Sequence, residues 1–209
     1  MDSFLPVRLF HLNAVNTPVE NLLPRESFPK VFLKAFEQFP IIHQIANPII
    51  FLERSSGGQI QINPAGVFFR DIRTEDFDKD INKLISIMNI YYSECKINEL
   101  KELNLKLVFH PKAIIVDGKR KLVAHDISIP NEIYQALPEG KIHTGLRFVF
   151  TEGIIRYDLK IEPRFANLEE NHVDFNVIIP RAIKTEELLD LVNAQRAFFD
   201  EHILPIIAK

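Results

Sequence analysis

Seven histidines are the first residues in this sequence to test for chemistry. His110, His125, His143 and His172 lie on or beside stretches of the second half that alternate as strands do. A zinc site needs three or four nitrogen or carboxylate ligands converging at about 2.0–2.2 Å. No HxH or HxxxH pair supplies two of them from one element, and histidines at strand edges are common without metal. No metal site is therefore assigned. A second candidate is the strand Ile155 to Pro163, where alternation puts Ile155, Tyr157, Leu159 and Ile161 on one side and Arg156, Asp158, Lys160 and Glu162 on the other. With Arg147 on the preceding strand, two guanidinium groups are available to hold a carboxylate or phosphate. The plainer reading is a solvated face whose opposite charges pair across strands, each pair contributing roughly 0.2–1 kcal/mol. The weight falls on that reading, and Arg147, Arg156, Tyr157, Lys160 and Glu162 stand as candidate ligand-binding residues, none of them catalytic.

Other chemistry-bearing residues have simpler explanations. Lys112, Lys119, Arg120 and Lys121 cluster about Asp117-Gly118, where a charged hairpin tip in water accounts for them as well as a phosphate contact does. Glu186-Glu187 suits the positive end of a helix, and Glu169-Glu170 lacks the apolar neighbours that would tune a general acid. Cys95, at the end of a helical stripe, reads as a small core residue. No G-x-S-x-G, P-loop or G-x-G-x-x-G is present, and seven glycines leave little material for a phosphate cradle.

The elements that must position these residues follow from periodicity. Val7 to Val15 reads as a strand, Ser27 to Phe39 as a helix stopped by Pro40, and Ile49 to Arg54, Gln59 to Asn63 and Val67 to Ile72 as a meander. Thr74-Glu75-Asp76-Phe77 opens a long amphipathic helix reaching Cys95, with Thr74 as its cap. Ile97 to Asn104 reads as a polar seam. Beyond it come a strand at Leu105 to His110, a hairpin of Ala113 to Val116 with Lys121 to Ile127, and a short helix at Pro130 to Leu137. Two strands then meet at Glu152-Gly153, a third runs from His172 to Ile179, and a C-terminal helix is capped by Thr185 and runs to about Pro205.

The same order appears twice. Gln59-Ile60-Gln61-Ile62-Asn63-Pro64 matches Asp158-Leu159-Lys160-Ile161-Glu162-Pro163 in pattern, and Thr74-Glu75-Asp76-Phe77 matches Thr185-Glu186-Glu187-Leu188. The chain thus reads as residues 1–97 and 98–209, two β-α-β-β-β-α halves of one compact α+β domain. Together they should form a curved antiparallel sheet backed by two long helices.

Composition bounds the rest. Hydrophobic residues at 46% can fill a full core, and seventeen Phe with no Trp make Phe its main large component. A net charge of −3 gives no general drive toward nucleic acid or anionic membrane. The single cysteine excludes an internal disulfide and favours a reducing compartment. With no signal-peptide pattern and no 18-residue apolar run, the expectation is a cytoplasmic protein without a membrane span.

Several of these features together resemble a sporadically distributed family of uncharacterised prokaryotic proteins with duplicated strand-helix halves. They are the opening strand and helix running into Phe36-Glu37-Gln38-Phe39-Pro40, the hairpin and long helix, the strand Tyr157 to Pro163, the acidic strand Val173-Asp174-Phe175-Asn176, and a Phe-rich C-terminal helix. The architecture is more distantly similar to SecB-like export chaperones and to the TATA-binding-protein-like fold. The resemblance lends no catalytic residue to carry over, and no cofactor is expected. The expectation is a non-enzymatic binding or assembly protein that recognises a protein or peptide and self-associates. The alternative is a small-molecule binder or enzyme with a pocket between sheet and helices, lined by Phe148, Phe150, Tyr157, Tyr91 and Phe199.

Overall fold

Alternation along the first strand decides which way the chain folds. In β1 (Val7–Asn16) Phe10, Leu12 and Ala14 are fully buried, while Arg8, His11 and Asn13 face the other way. In the computed structural model, residues 5–18, 28–36, 39–44, 49–52, 58–116, 119–121, 145–167 and 169–207 are described. After β1 come α1 (Phe28–Phe36), β2 (Ile41–Gln44), β3 (Ile49–Leu52), β4 (Gln59–Asn63), β5 (Gly66–Arg73) and α2 (Phe77–Glu94). The chain continues through β6 (Glu99–Phe109), β7 (Ile114–Val116), β8 (Lys119–Lys121), β9 (Leu146–Glu152), β10 (Ile155–Pro163), β11 (Asn171–Ile179) and β12 (Ile183–Lys184). It closes with a 3-10 turn at Thr185–Glu187, α3 (Leu188–Phe198), a π-helical turn at Phe199–Ile203 and α4 (Leu204–Ile207).

One antiparallel sheet organises these elements in the order β2-β3-β4-β5-β1-β6-β11-β10-β9, with β12 pairing on β6 and β7-β8 forming a separate ribbon. This is an α+β fold. The tight turns explain the antiparallel pairing: Gly153, at φ 58, supplies the left-handed position between β9 and β10. At the β4–β5 corner the cause is space, because a Cβ on Gly66 would lie 2.1 Å from the Ala14 carbonyl oxygen.

The helices cover one face of the sheet. Ile81, Leu84, Met88 and Tyr91 of α2 and Leu188, Val192 and Phe199 of the C-terminal run share a core with Phe10, Leu107, Phe109 and Phe175. The rings of Phe109 and Phe199 stack at 3.8 Å, and Phe10 meets Phe77 edge-on at 5.3 Å. Among the described residues no helix is long and apolar enough to cross a membrane.

Three local expectations are corrected. The stretch Ile97 to Asn104 is mostly strand rather than a connector, because β6 begins at Glu99 and runs eleven residues through the middle of the sheet. The caps also differ. Asp76, not Thr74, caps α2 by accepting from the Lys79 N–H at 3.0 Å, and the Thr74 hydroxyl instead donates to Asp80 at 2.8 Å. Thr185 lies inside the 3-10 turn, and α3 has no side-chain cap. The C-terminal helix also widens into the π turn just before Pro205, whose ring lacks the N–H that a regular turn requires. The expected helix at Pro130 to Leu137, the Asp117-Gly118 tip, most of the strand Lys121 to Ile127, His125 and His143 lie outside the described residues.

Candidate binding site on the open face of the sheet

The face opposite the helices carries the charged groups. Register fixes which of them meet: Phe109 of β6 lies opposite Val173 of β11, and Lys106 opposite Asn176. His172 and Asp174 therefore project beside His110 and Lys106. Lys106 Nζ donates to Asp174 Oδ2 at 2.7 Å, and His110 Nε2 lies 3.2 Å from His172 Nδ1. His172 Nε2 stands 3.0 Å from Asp174 Oδ1, an ion pair only when the ring carries a second proton. Burial alone would raise the Asp174 carboxyl, but the attraction of His172 and Lys106 outweighs it and holds the group at about 2. In the histidine couple one facing nitrogen must donate and the other accept, so the couple cannot hold a proton on both. Burial, with Arg164 and His172 nearby, pushes His110 below the usual histidine value, and burial does the same to His11 despite Asp71.

Two irregularities in β1 shape this region. Val7 pairs with Phe109 and Leu9 with Val108, so Arg8 is an extra residue on the β6 side. Leu12 pairs with Phe69 and Phe10 with Ile72, so His11 faces two residues of β5, Arg70 and Asp71. Asp71 takes φ 54, a left-handed conformation costing of order 1 kcal/mol for a residue with a Cβ. Bulges of this kind re-aim side chains. Here they set Arg8, Asp71 and Arg73 around His11, whose Nε2 is 3.5 Å from Asp71 Oδ1. The far wall is the turn after β10, where Arg164 donates to Glu170. Backbone bonds from Asn171 N to the Pro111 oxygen at 2.8 Å and from Ala113 N to the Glu169 oxygen at 2.7 Å hold that turn in place.

The result is a concavity of about 690 Å³ with Val108 among its lining residues, joined through His11 and Lys106 to a second of about 520 Å³ over β6, β11, β10 and β9. Among the described residues Arg8, Arg73 and Arg156 have no ion-pair partner. No three histidine, cysteine or acidic side chains among them are arranged to hold a metal ion.

The sequence-derived candidates separate in the structure. Arg147, Arg156, Lys160 and Glu162 do share the open face, but Arg147 is held bidentately by Asp158 at 2.8 and 2.6 Å, and Lys160 pairs with Glu162 at 2.8 Å. That Arg147 bond lowers the Asp158 carboxyl below its ordinary value. Arg156 alone of the four has no ion pair and lines the second concavity. The Tyr157 ring belongs to the other face: it is 1% exposed and stacks on Phe150 at 4.9 Å and Phe198 at 4.7 Å. Its hydroxyl reaches Glu152 at 3.3 Å, and burial raises it to about 12. Of the rings expected to line a pocket between sheet and helices, Phe150 and Tyr157 stack on each other, Tyr91 and Phe199 are fully buried, and Phe148, at the sheet's end, is 37% exposed. Sequence reading missed Arg8, His11, Arg73, Lys106 and Asp174. The one available signal was their alternation with Val7, Leu12, Leu107 and Phe175. Comparison with models of known protein families and with curated proteins finds no match to this chain.

Proposed function

We propose that this chain is a non-enzymatic binding or assembly protein that recognises a protein or peptide partner, and that the partner lies along the open face of the sheet. The observation that carries this reading is the joined pair of concavities, whose lining runs from Asp71 on β5 to Val149 on β9, across six neighbouring strands. At roughly 4.8 Å between strands the trough spans about 24 Å, the length of about seven extended residues. A small metabolite would fill one of the two concavities and leave the other bare. The unpaired Arg8, Arg73 and Arg156 favour an acidic segment, since a guanidinium recognises carboxylates by paired hydrogen bonds.

A two-halved plan fits the same site. Reading outward from the middle of the sheet, β1-β5-β4-β3 on one side corresponds to β6-β11-β10-β9 on the other, and the matching strands β4 and β10 carry the Gln59 to Pro64 and Asp158 to Pro163 patterns. The trough then straddles the seam between the halves, beside the β1–β6 pairing.

The test is a peptide array of varied sequence probed with the full chain at low salt. The expected outcome is selection of segments rich in Asp and Glu. In an Arg8→Glu, Arg156→Glu double variant that melts as the original does, binding should fall by about tenfold or more. An array with no selected peptide, or the same selection by the variant, removes the reading.

A further inference from the structure

We infer that the end of the trough over β5, β1, β6 and β11 is a pocket for the doubly charged oxygens of a phosphate monoester. The inference rests on the open face being the binding surface and names the chemistry that one part of it selects. The concavity around His11 differs from the rest of the trough in three ways. First, its arginines are placed by bulges: Arg8 is the extra residue against β6, and Arg73 comes two residues after the Arg70–Asp71 bulge on β5. Second, two of its three acids are already countered. Asp174 is held by Lys106 and His172, Glu170 by Arg164, and Asp71 lies beside His11. The guanidinium groups of Arg8 and Arg73 are left to meet a ligand, and forks of that shape match the terminal oxygens of a phosphate.

Third, the charge of the pocket can rise to meet a dianion. Arg8, Arg73, Lys106 and Arg164 stand against Asp71, Glu170 and Asp174, which leaves one positive charge while the histidines are neutral. One proton taken by the His110–His172 couple makes that two and frees a further N–H to donate. The couple is faced by Arg8 and Arg164, which oppose that proton, and by Glu170 and Asp174, which favour it; an arriving dianion tips the balance toward uptake. The second concavity lacks the histidine couple, and its Arg147 is committed to Asp158 while Arg156 stays without an ion pair.

Isothermal titration calorimetry on the full chain, at low salt and neutral pH, tests the pocket with three probes. They are an acidic peptide of about seven residues with a central phosphoserine, the same peptide with aspartate in that place, and phosphoserine blocked at both ends. The phosphopeptide is expected to bind about tenfold tighter than the aspartate peptide. Arg8→Gln and Arg73→Gln should each weaken it by about tenfold, while Lys83→Gln on α2 changes nothing. Equal binding of the two peptides overturns the phosphate pocket and leaves the open-face reading standing. Blocked phosphoserine binding as tightly as the phosphopeptide supports the pocket and overturns the peptide reading in favour of a small phosphate ester. If none of the three binds, both fall.

Discussion

The two faces of the sheet are built from the same strands and obey different rules. On β11, Val173, Phe175, Val177 and Ile179 turn into the core while His172, Asp174 and Asn176 turn to the open side. On β6, Leu103, Leu105, Leu107 and Phe109 alternate with Asn104, Lys106 and Val108, and His110 follows just past the strand's end. The covered face needs apolar volume of the right shape, and a neighbour can partly compensate for a change. On the open face charges such as Lys106 with Asp174 and Arg147 with Asp158 pair across strands, and Arg8, Arg73 and Arg156 are left without an ion pair among the described residues, so exchanging a residue there changes chemistry more than stability. The largest test of this contrast is Phe109→Ala. Phe109 is fully buried, stacks on Phe199 and lies under the Arg196 guanidinium at 4.9 Å. Its truncation should cost about 3–5 kcal/mol in denaturant unfolding while the remaining folded protein binds peptide unchanged. A loss under about 1 kcal/mol would mean that the covered face is not the source of stability.

Asp174→Asn sharpens the comparison from the open side, with a smaller effect. The native carboxyl sits at about 2 against roughly 3.9 in an unfolded chain. Since its native value is depressed, the stability it contributes is complete above about pH 4 and is lost as pH falls through about 2. The linkage amounts to at most about 2.6 kcal/mol, and less once water screening in a partly open site is counted. The asparagine variant should therefore be less stable than the parent at neutral pH and should converge with it near pH 2, as followed by urea midpoints across the acid range. Parallel curves would show that Lys106 and His172 do not hold the carboxylate.

How much of this was legible in the sequence depended on whether the pattern was local. Gln59 to Asn63 and Asp158 to Glu162 alternate without interruption, and their strands stand where that period requires. β6 was half missed for a physical reason. Val15 pairs with Glu102 and Asn16 with Leu100, so Lys101 is an extra residue that breaks the period of two between Leu100 and Leu103. Helix starts were legible and their caps were not: Thr74 and Asp76 both suit the role, and only backbone geometry selects Asp76. The site itself depends on pairings between distant strands. His110 and His172 are sixty-two residues apart and meet because β11 docks on β6, which no local period announces. Tyr157 was misplaced among ligand contacts although its own alternation with Arg156 and Asp158 puts it on the covered face.

The smallest expected effect concerns the histidines, and it separates the two faces by pH. His110 and His11 both have native values pushed below the ordinary 6.5, chiefly by burial. The unfolded chain therefore takes up protons at these positions more readily than the native one. Their cost is absent above pH 6.5 and grows as pH falls below it through the native values. The groups facing His110 are Arg164, His172 and Arg8, which oppose protonation, and Glu170, which favours it. This window lies above the one set by Asp174, so the acid limb of stability should have two steps. His110→Gln, which keeps a polar side chain but cannot titrate, should shallow the upper step and leave the lower one in place, while a change confined to the core should shift both equally. Urea midpoints measured from neutral pH downward give the answer directly. An upper step untouched by His110→Gln would mean that the histidine couple carries no proton linkage and that Asp174 alone gives the open face its pH dependence.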